Sequence, residues 1–188
     1  RIARFRRSEL FLAAVAFLGV LVTDVLVGIA VAIGLSILDL LRRVARPHDA
    51  VLGYVPGVPG MHDVDDYPNA VTVPGLMVYR YDSPLFFANA EDFRRRAVAA
   101  VDASDTPITW FVLNAEGIVE VDLTGIDALD DLRSELTRRD IVFGMARVKH
   151  ELADDLEAAG FLRKVGPDRL FATLPTAVAA FQASAVTD

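Results

Sequence analysis

With 188 residues the chain has room for one ordinary domain and something more, since a single core usually takes about 100 to 150 residues. The formal net charge is −7, divided into seven arginines against three acidic residues over residues 1–46 and 12 basic against 23 acidic residues over the remainder. An acidic part with dispersed arginines argues against a nucleic-acid footprint, and the absence of cysteine excludes disulfides, thiol catalysis and thiolate metal sites.

The mean hydropathy of +0.37 is concentrated in residues 10–41, whose only charges are Asp24 and Asp39. As one straight helix this stretch would run roughly 48 Å, well beyond a hydrocarbon core of about 30 Å. Thr23 and Asp24 divide it into residues 10–22 and 25–41, which reads as two short or re-entrant helices. Arg4, Arg6 and Arg7 before the run, and Arg42, Arg43 and Arg46 after it, put both ends on one side of a bilayer. A membrane helical hairpin over 1–46 therefore satisfies length and charge together, with Asp24 near its tip. Asp24 reads as a tip residue or as a functional carboxylate, Asp39 as interfacial. Gly19, Gly28 and Gly34 offer close helix approach but form no GxxxG pair. The chain opens on Arg1 rather than methionine, so it is expected to be a fragment.

Residues 47–74 hold five of the nine prolines together with Gly53, Gly57 and Gly60, the composition of a turn-rich linker, with a short strand at residues 51–55. Asp63, Asp65 and Asp66 beside His62 match no metal loop and read as solvated charge, so no metal is expected. From 75 to 188 the pattern alternates. Strands are expected at 76–81 and 85–87, pairing as a hairpin, and at 108–114, 141–146 and 170–172. Helices are expected at about 89–102, 124–139 and 149–159, with a last one from Pro175. Phe93, Ala97, Ala100 and Val101 mark the core face of the first helix, and Ile126, Leu129 and Leu136 that of the second. Asn89 with Asp92, and Thr124 with Asp127, have the spacing of N-terminal caps. Gly160 before Phe161 has the position of a helix stop. Arg94, Arg95 and Arg96 read as a solvated helix face.

Catalytic machinery is missing from this pattern. The histidines are His48, His62 and His150; no serine sits in a nucleophile elbow and no P-loop is present. No enzyme and no cofactor are expected.

Three segments carry a resemblance: Leu40-Leu41-Arg42-Arg43-Val44-Ala45-Arg46-Pro47-His48, Leu85-Phe86-Phe87-Ala88-Asn89-Ala90, and Val121-Asp122-Leu123-Thr124-Gly125-Ile126-Asp127-Ala128-Leu129. In these, and in the order of its elements, the chain resembles the C-terminal part of the sulfate permease (SulP) family of anion transporters. The resemblance takes in their last membrane helices and cytosolic STAS domain, an α/β fold with a mainly parallel sheet that anti-sigma-factor antagonists share. It implies a secondary anion transporter, with sulfate as the anion, multi-pass in a bacterial inner membrane. Its STAS domain would lie in the cytoplasm, its transporter core upstream in the same polypeptide, and the assembly would be a homodimer. The substrate-binding helices of the family would lie upstream of this chain.

Antagonist relatives carry Asp-Ser-Ser-Gly where this chain has Asp122, Leu123, Thr124 and Gly125, and are phosphorylated on the first serine. Leu123 lacks the hydroxyl, so that switch does not carry over. Thr124 keeps one at the neighbouring position, where capping or phosphorylation would use it. The same helix start presents amide donors to a phosphate group, which makes it a regulatory loop or a weak guanine nucleotide site, although Asp122 and Asp127 oppose an anion there. Phe86, Phe87, Ala88, Asn89 and Ala90 form the family's turn into its first helix. The alternative reading is a membrane-tethered signalling module of the antagonist type that binds a protein partner or nucleotide.

Overall fold

The computed structural model of the chain describes residues 25–184, and the chain divides into two compact units, Arg1–Arg46 and Pro47–Asp188. Within the first unit the described part is one helix, α1 (Val25–Val44), in which Leu26, Ile33, Leu38 and Leu40 are exposed. It covers the later of the two expected helices; residues 10–22 and Asp24 lie outside the described residues. Among the described residues no helix is long and apolar enough to cross a membrane.

The second unit is an α/β fold. Its elements run β1 (Asp49–Tyr54), β2 (Met61–Asp63), β3 (Leu76–Tyr81), α2 (Ala90–Asp102), β4 (Trp110–Asn114), α3 (Leu123–Arg138), β5 (Val142–Ala146), α4 (His150–Ala158), α5 (Phe161–Val165), β6 (Leu170–Phe171) and α6 (Leu174–Ser184). The sheet has six strands in the order β2-β1-β3-β4-β5-β6. β3 through β6 are parallel neighbours, with Leu76 opposite Trp110 and Trp110 opposite Val142, while β1 runs antiparallel to both β2 and β3.

One expectation changes here, and the short strand expected at residues 51–55 is found in β1. Residues 85–87 are not a strand: Leu85 makes a single bridge to Val121, and antiparallel pairing comes instead from β1, supplied by the proline-rich segment. Pro84 and the side chain of Asn89 hold residues 83–89 as a loop, so the short apolar run has no ladder to join. Residues 47–74 belong to the compact second unit. Gly57 and Gly60, at φ 80° and 92°, turn the chain between β1 and β2, a conformation that side chains beyond glycine resist.

The strands other than β2 divide their side chains between two cores. Tyr79, Phe111, Leu113, Phe143 and Met145 face a cluster closed by Phe93 of α2, Leu129, Leu132 and Leu136 of α3, Leu152 and Leu156 of α4 and Phe161 of α5. Val78, Trp110 and Val112 face the opposite side, where α6 supplies Leu174, Ala177, Val178 and Phe181. Burying each large apolar side chain contributes about 1.5–3 kcal/mol. α5 was not foreseen. It follows Gly160, whose φ of 73° ends α4, and it buries Phe161 against Phe143, ring centroids 6.3 Å apart.

Candidate functional site

The residues singled out by sequence come together at the carboxyl ends of β3 and β4, where two connections meet: residues 82–89 leading into α2 and residues 115–122 leading into α3. Ligands of parallel α/β sheets gather at such strand ends. Backbone bonds tie the two connections, with Leu85 N–H donating to the Glu120 carbonyl at 2.9 Å and Asp122 N–H to the Leu85 carbonyl at 3.1 Å.

Asp122 is the cap of α3. Its Oδ1 accepts from Gly125 N–H at 2.7 Å, and its Oδ2 accepts from Phe87 N–H at 2.9 Å, 35 residues away in the chain. One carboxylate thus satisfies an orphan amide of the helix and one of the opposite loop. The expected cap, Thr124, is instead exposed in the first turn, because the helix begins at Leu123. The carboxylate occupies the place a phosphate would take at this helix start, where the dipole favours one negative group.

Asn89 is 1% exposed and works backwards rather than as a side-chain cap of α2. Its Oδ1 accepts from Phe86 N–H at 3.0 Å, and its Nδ2 donates to the Pro84 carbonyl at 2.9 Å and the Ser83 hydroxyl at 3.4 Å. A buried amide that finds three partners fixes the loop more firmly than a cap would. Two glycines permit the close approach of the connections. A Cβ on Gly125 would stand 2.5 Å from the Leu85 carbonyl oxygen, and one on Gly117 2.5 Å from that of Tyr81. Ala88 is exposed, and Ala90 is buried as the first residue of α2.

This scaffold presents two large apolar side chains outward, beside the exposed Thr124 and Asp127. Leu123 is 79% and Phe87 75% exposed, and the Phe87 ring packs edge-on against Phe86 at 5.7 Å. Below the loop, burial raises the phenols of Tyr79 and Tyr81 well above their ordinary value; the charge of Asp92 adds to both. The Tyr79 hydroxyl donates to Asp49, which also pairs with Arg96, and Arg96 donates to the Pro47 carbonyl at 2.8 Å. Arg96 therefore holds the first residues of the second unit against α2, a role the arginine run did not reveal.

The other charged candidates serve structure. Asp63 is buried, with Oδ2 2.9 Å from His48 Nε2 and Oδ1 accepting from Asp65 N–H at 3.0 Å. His62 Nε2 meets the Pro59 carbonyl at 3.0 Å. Among the described residues no group of three or more histidines and carboxylates is placed to hold a metal ion.

Comparison with known proteins agrees with this geometry. The family model described as the STAS domain matches residues 67–177. A protein of Mycobacterium tuberculosis named "Probable sulfate transporter" is 64% identical over 182 residues, 97% of this chain and 32% of its own length. The murine Solute Carrier 26 family member A9 anion transporter, solved in the inward-facing state, aligns with 97% of this chain and 30% of its own at a TM-score of 0.80 and 24% identity. The STAS domain of a Vibrio cholerae SulP transporter aligns over 66% of this chain and 94% of its own at 0.53 and 21% identity. The last two show likeness of fold. The chain spans about a third of the length of the curated relative it matches.

Proposed function

We propose, since the chain belongs to the STAS domain family, that it is the C-terminal membrane segment and cytosolic regulatory domain of a secondary anion transporter that carries sulfate. The observation that carries this reading is the 64% identity to a protein named as a sulfate transporter, which runs over 97% of the chain and so takes in the apolar N-terminal segment as well as the α/β unit. The domain performs no catalysis in this reading; it acts on folding, dimerisation or rate of a core upstream in the same polypeptide. The setting is a bacterial inner membrane, with residues 1–46 embedded as a hairpin and the α/β unit in the cytoplasm.

The test is uptake of radiolabelled sulfate by cells expressing the full gene, with and without residues 75–188. Uptake that falls on deletion supports the reading, and unaltered uptake overturns the regulatory role. Single cysteines placed on either flank of residues 10–41, in a background stripped of any other cysteine, report topology; these 188 residues contain none. Labelling of the two flanks from opposite sides would refute the hairpin.

A second reading, a membrane-tethered signalling module of the antagonist type, is favoured by one feature, the exposed pair Phe87 and Leu123 at the motif end. It predicts normal uptake without the domain and loss of a protein partner instead. Guanine nucleotide at residues 122–125 would bind weakly at best, because the Asp122 carboxylate already takes the Gly125 amide. Saturable binding of labelled GTP that Asp122→Asn strengthens would revive that site.

A further inference from the structure

The connections at the carboxyl ends of β3 and β4 expose apolar side chains within an acidic surround. Phe87 is 75%, Leu123 79% and Val119 42% exposed. The bond from Phe87 N–H to Asp122 Oδ2, at 2.9 Å, sets Phe87 beside the residue that precedes Leu123. Residues 81–93 and 115–132, which make up these connections and the helix turns that follow, hold nine carboxylates and no lysine, arginine or histidine. Basic side chains from outside these stretches pair with Asp82, Glu91, Asp92, Glu116 and Asp130. Glu120 and Asp127 are exposed and have no ion-pair partner among the described residues. Asp127 follows Leu123 by one helical turn, on the same face of α3.

Neighbouring large apolar side chains in water gain by being covered, and the charges beside them select what covers them. A second copy of the same face would set carboxylate against carboxylate, which is repulsive. A basic segment meets no such cost: its arginine or lysine side chains reach Glu120 and Asp127 while an apolar residue between them packs on Phe87 and Leu123. Membrane proteins concentrate lysine and arginine in their cytoplasmic loops. This chain covers 32% of the Mycobacterium tuberculosis relative, so most of that protein lies outside the matched region. We propose that the face around Phe87 and Leu123 docks a basic cytoplasmic loop of the transporter's own membrane core. Leu123 and Phe87 are its apolar anchors, Glu120 and Asp127 its charge partners. The docking rests on the transport reading, and under it the exposed pair is covered by the transporter itself rather than by a separate signalling protein.

Two measurements test this. A photoreactive amino acid at position 87 or 123 of the full-gene protein, irradiated in cells and mapped by mass spectrometry, should crosslink to a core loop that carries lysine or arginine. In the second, the full chain in detergent micelles is titrated against labelled peptides by fluorescence anisotropy, with protein-free micelles as the blank. A peptide alternating arginine with leucine should saturate, whereas its counterparts with serine for leucine, or glutamate for arginine, should not. Leu123→Ser should raise the half-saturating concentration about tenfold, the loss of one covered leucine. Asp127→Lys should raise it about fivefold, and added sodium chloride should raise it as well. Both side chains are exposed, so these substitutions spare the fold, and circular dichroism checks this for each variant. Crosslinks to a separate protein alone, to an acidic or uncharged segment, or to nothing overturn the proposal, as does peptide binding that ignores Leu123→Ser and Asp127→Lys. Sulfate uptake by the same cells separates the two readings: uptake that needs the domain, without such a crosslink, removes the docking face and leaves the transport reading standing.

Discussion

Replacing Gly125 by alanine is a test in which local and tertiary effects have opposite signs. Gly125 lies in the first turn of α3, and helix propensity alone favours alanine by about 0.8–1 kcal/mol. The added Cβ, however, would stand 2.5 Å from the Leu85 carbonyl oxygen and 2.8 Å from Val121 Cγ2. Backbone is the closest obstacle, so relief requires residues 83–89 to move away from α3. That movement costs about 1–3 kcal/mol as overpacking. It also breaks the bond from Asp122 N–H to the Leu85 carbonyl, worth about 0.5–1.5 kcal/mol. Tertiary cost exceeds propensity, leaving a net destabilisation of about 2 kcal/mol. Urea unfolding followed by Trp110 emission should show a lower midpoint at unchanged slope. A Gly125→Ala variant as stable as the parent, or more so, would refute the claim that the two connections are in contact.

Asp122→Ala removes a cap and the bridge to Phe87 together and should cost about 2 kcal/mol, with Asp122→Asn intermediate, because it keeps one acceptor; chemical denaturation of the three proteins checks the order. For Tyr79 and Tyr81, whose phenols burial holds above the ordinary value of 10.0, the stability contribution is complete below that value and is lost as pH rises beyond it. Their ionisation at 295 nm should therefore coincide with alkaline unfolding, and Tyr79→Phe should soften that transition. Burial pushes the Asp130 carboxyl up, but hydrogen bonds from Lys164 and Arg133 outweigh it and leave the group below its ordinary value of 3.8. Its contribution is thus present above that value and lost as pH falls through the folded one, so Asp130→Asn should flatten the acid limb of a stability profile below about pH 4. Partial exposure of the pair keeps this effect under about 1 kcal/mol.

Much of the α/β architecture was legible because apolar residues recur with the period of their element. Phe93 and Ala97, and likewise Leu129, Leu132 and Leu136, stand on buried helix faces, and the run 110–114 is buried throughout. The misreading at residues 85–87 has a cause outside the local pattern. Residues 85–87 are apolar enough for a strand, yet what decides their state is the Asn89 side chain, whose partners lie behind it rather than ahead. Residues 47–74 have the composition of a connector because the turn between β1 and β2 needs glycine at positive φ. The strands on either side are short, and β1 finds its partner in β3, beyond the whole segment.

The same distinction explains why the motif was found while its working parts were not. Thr124 with Asp127 fits the local spacing of a capping box, but Asp122 takes the cap because its second oxygen has a donor waiting on Phe87, a partner no local window contains. Three motif residues are consumed in holding two connections together: Asp122, Gly125 and Asn89 face inward or across, while Thr124 and Asp127 stay exposed. The large side chains left facing outward, Phe87 and Leu123, are apolar, with the exposed Thr124 hydroxyl beside them. A loop built this way offers shape and apolar surface beside its polar groups.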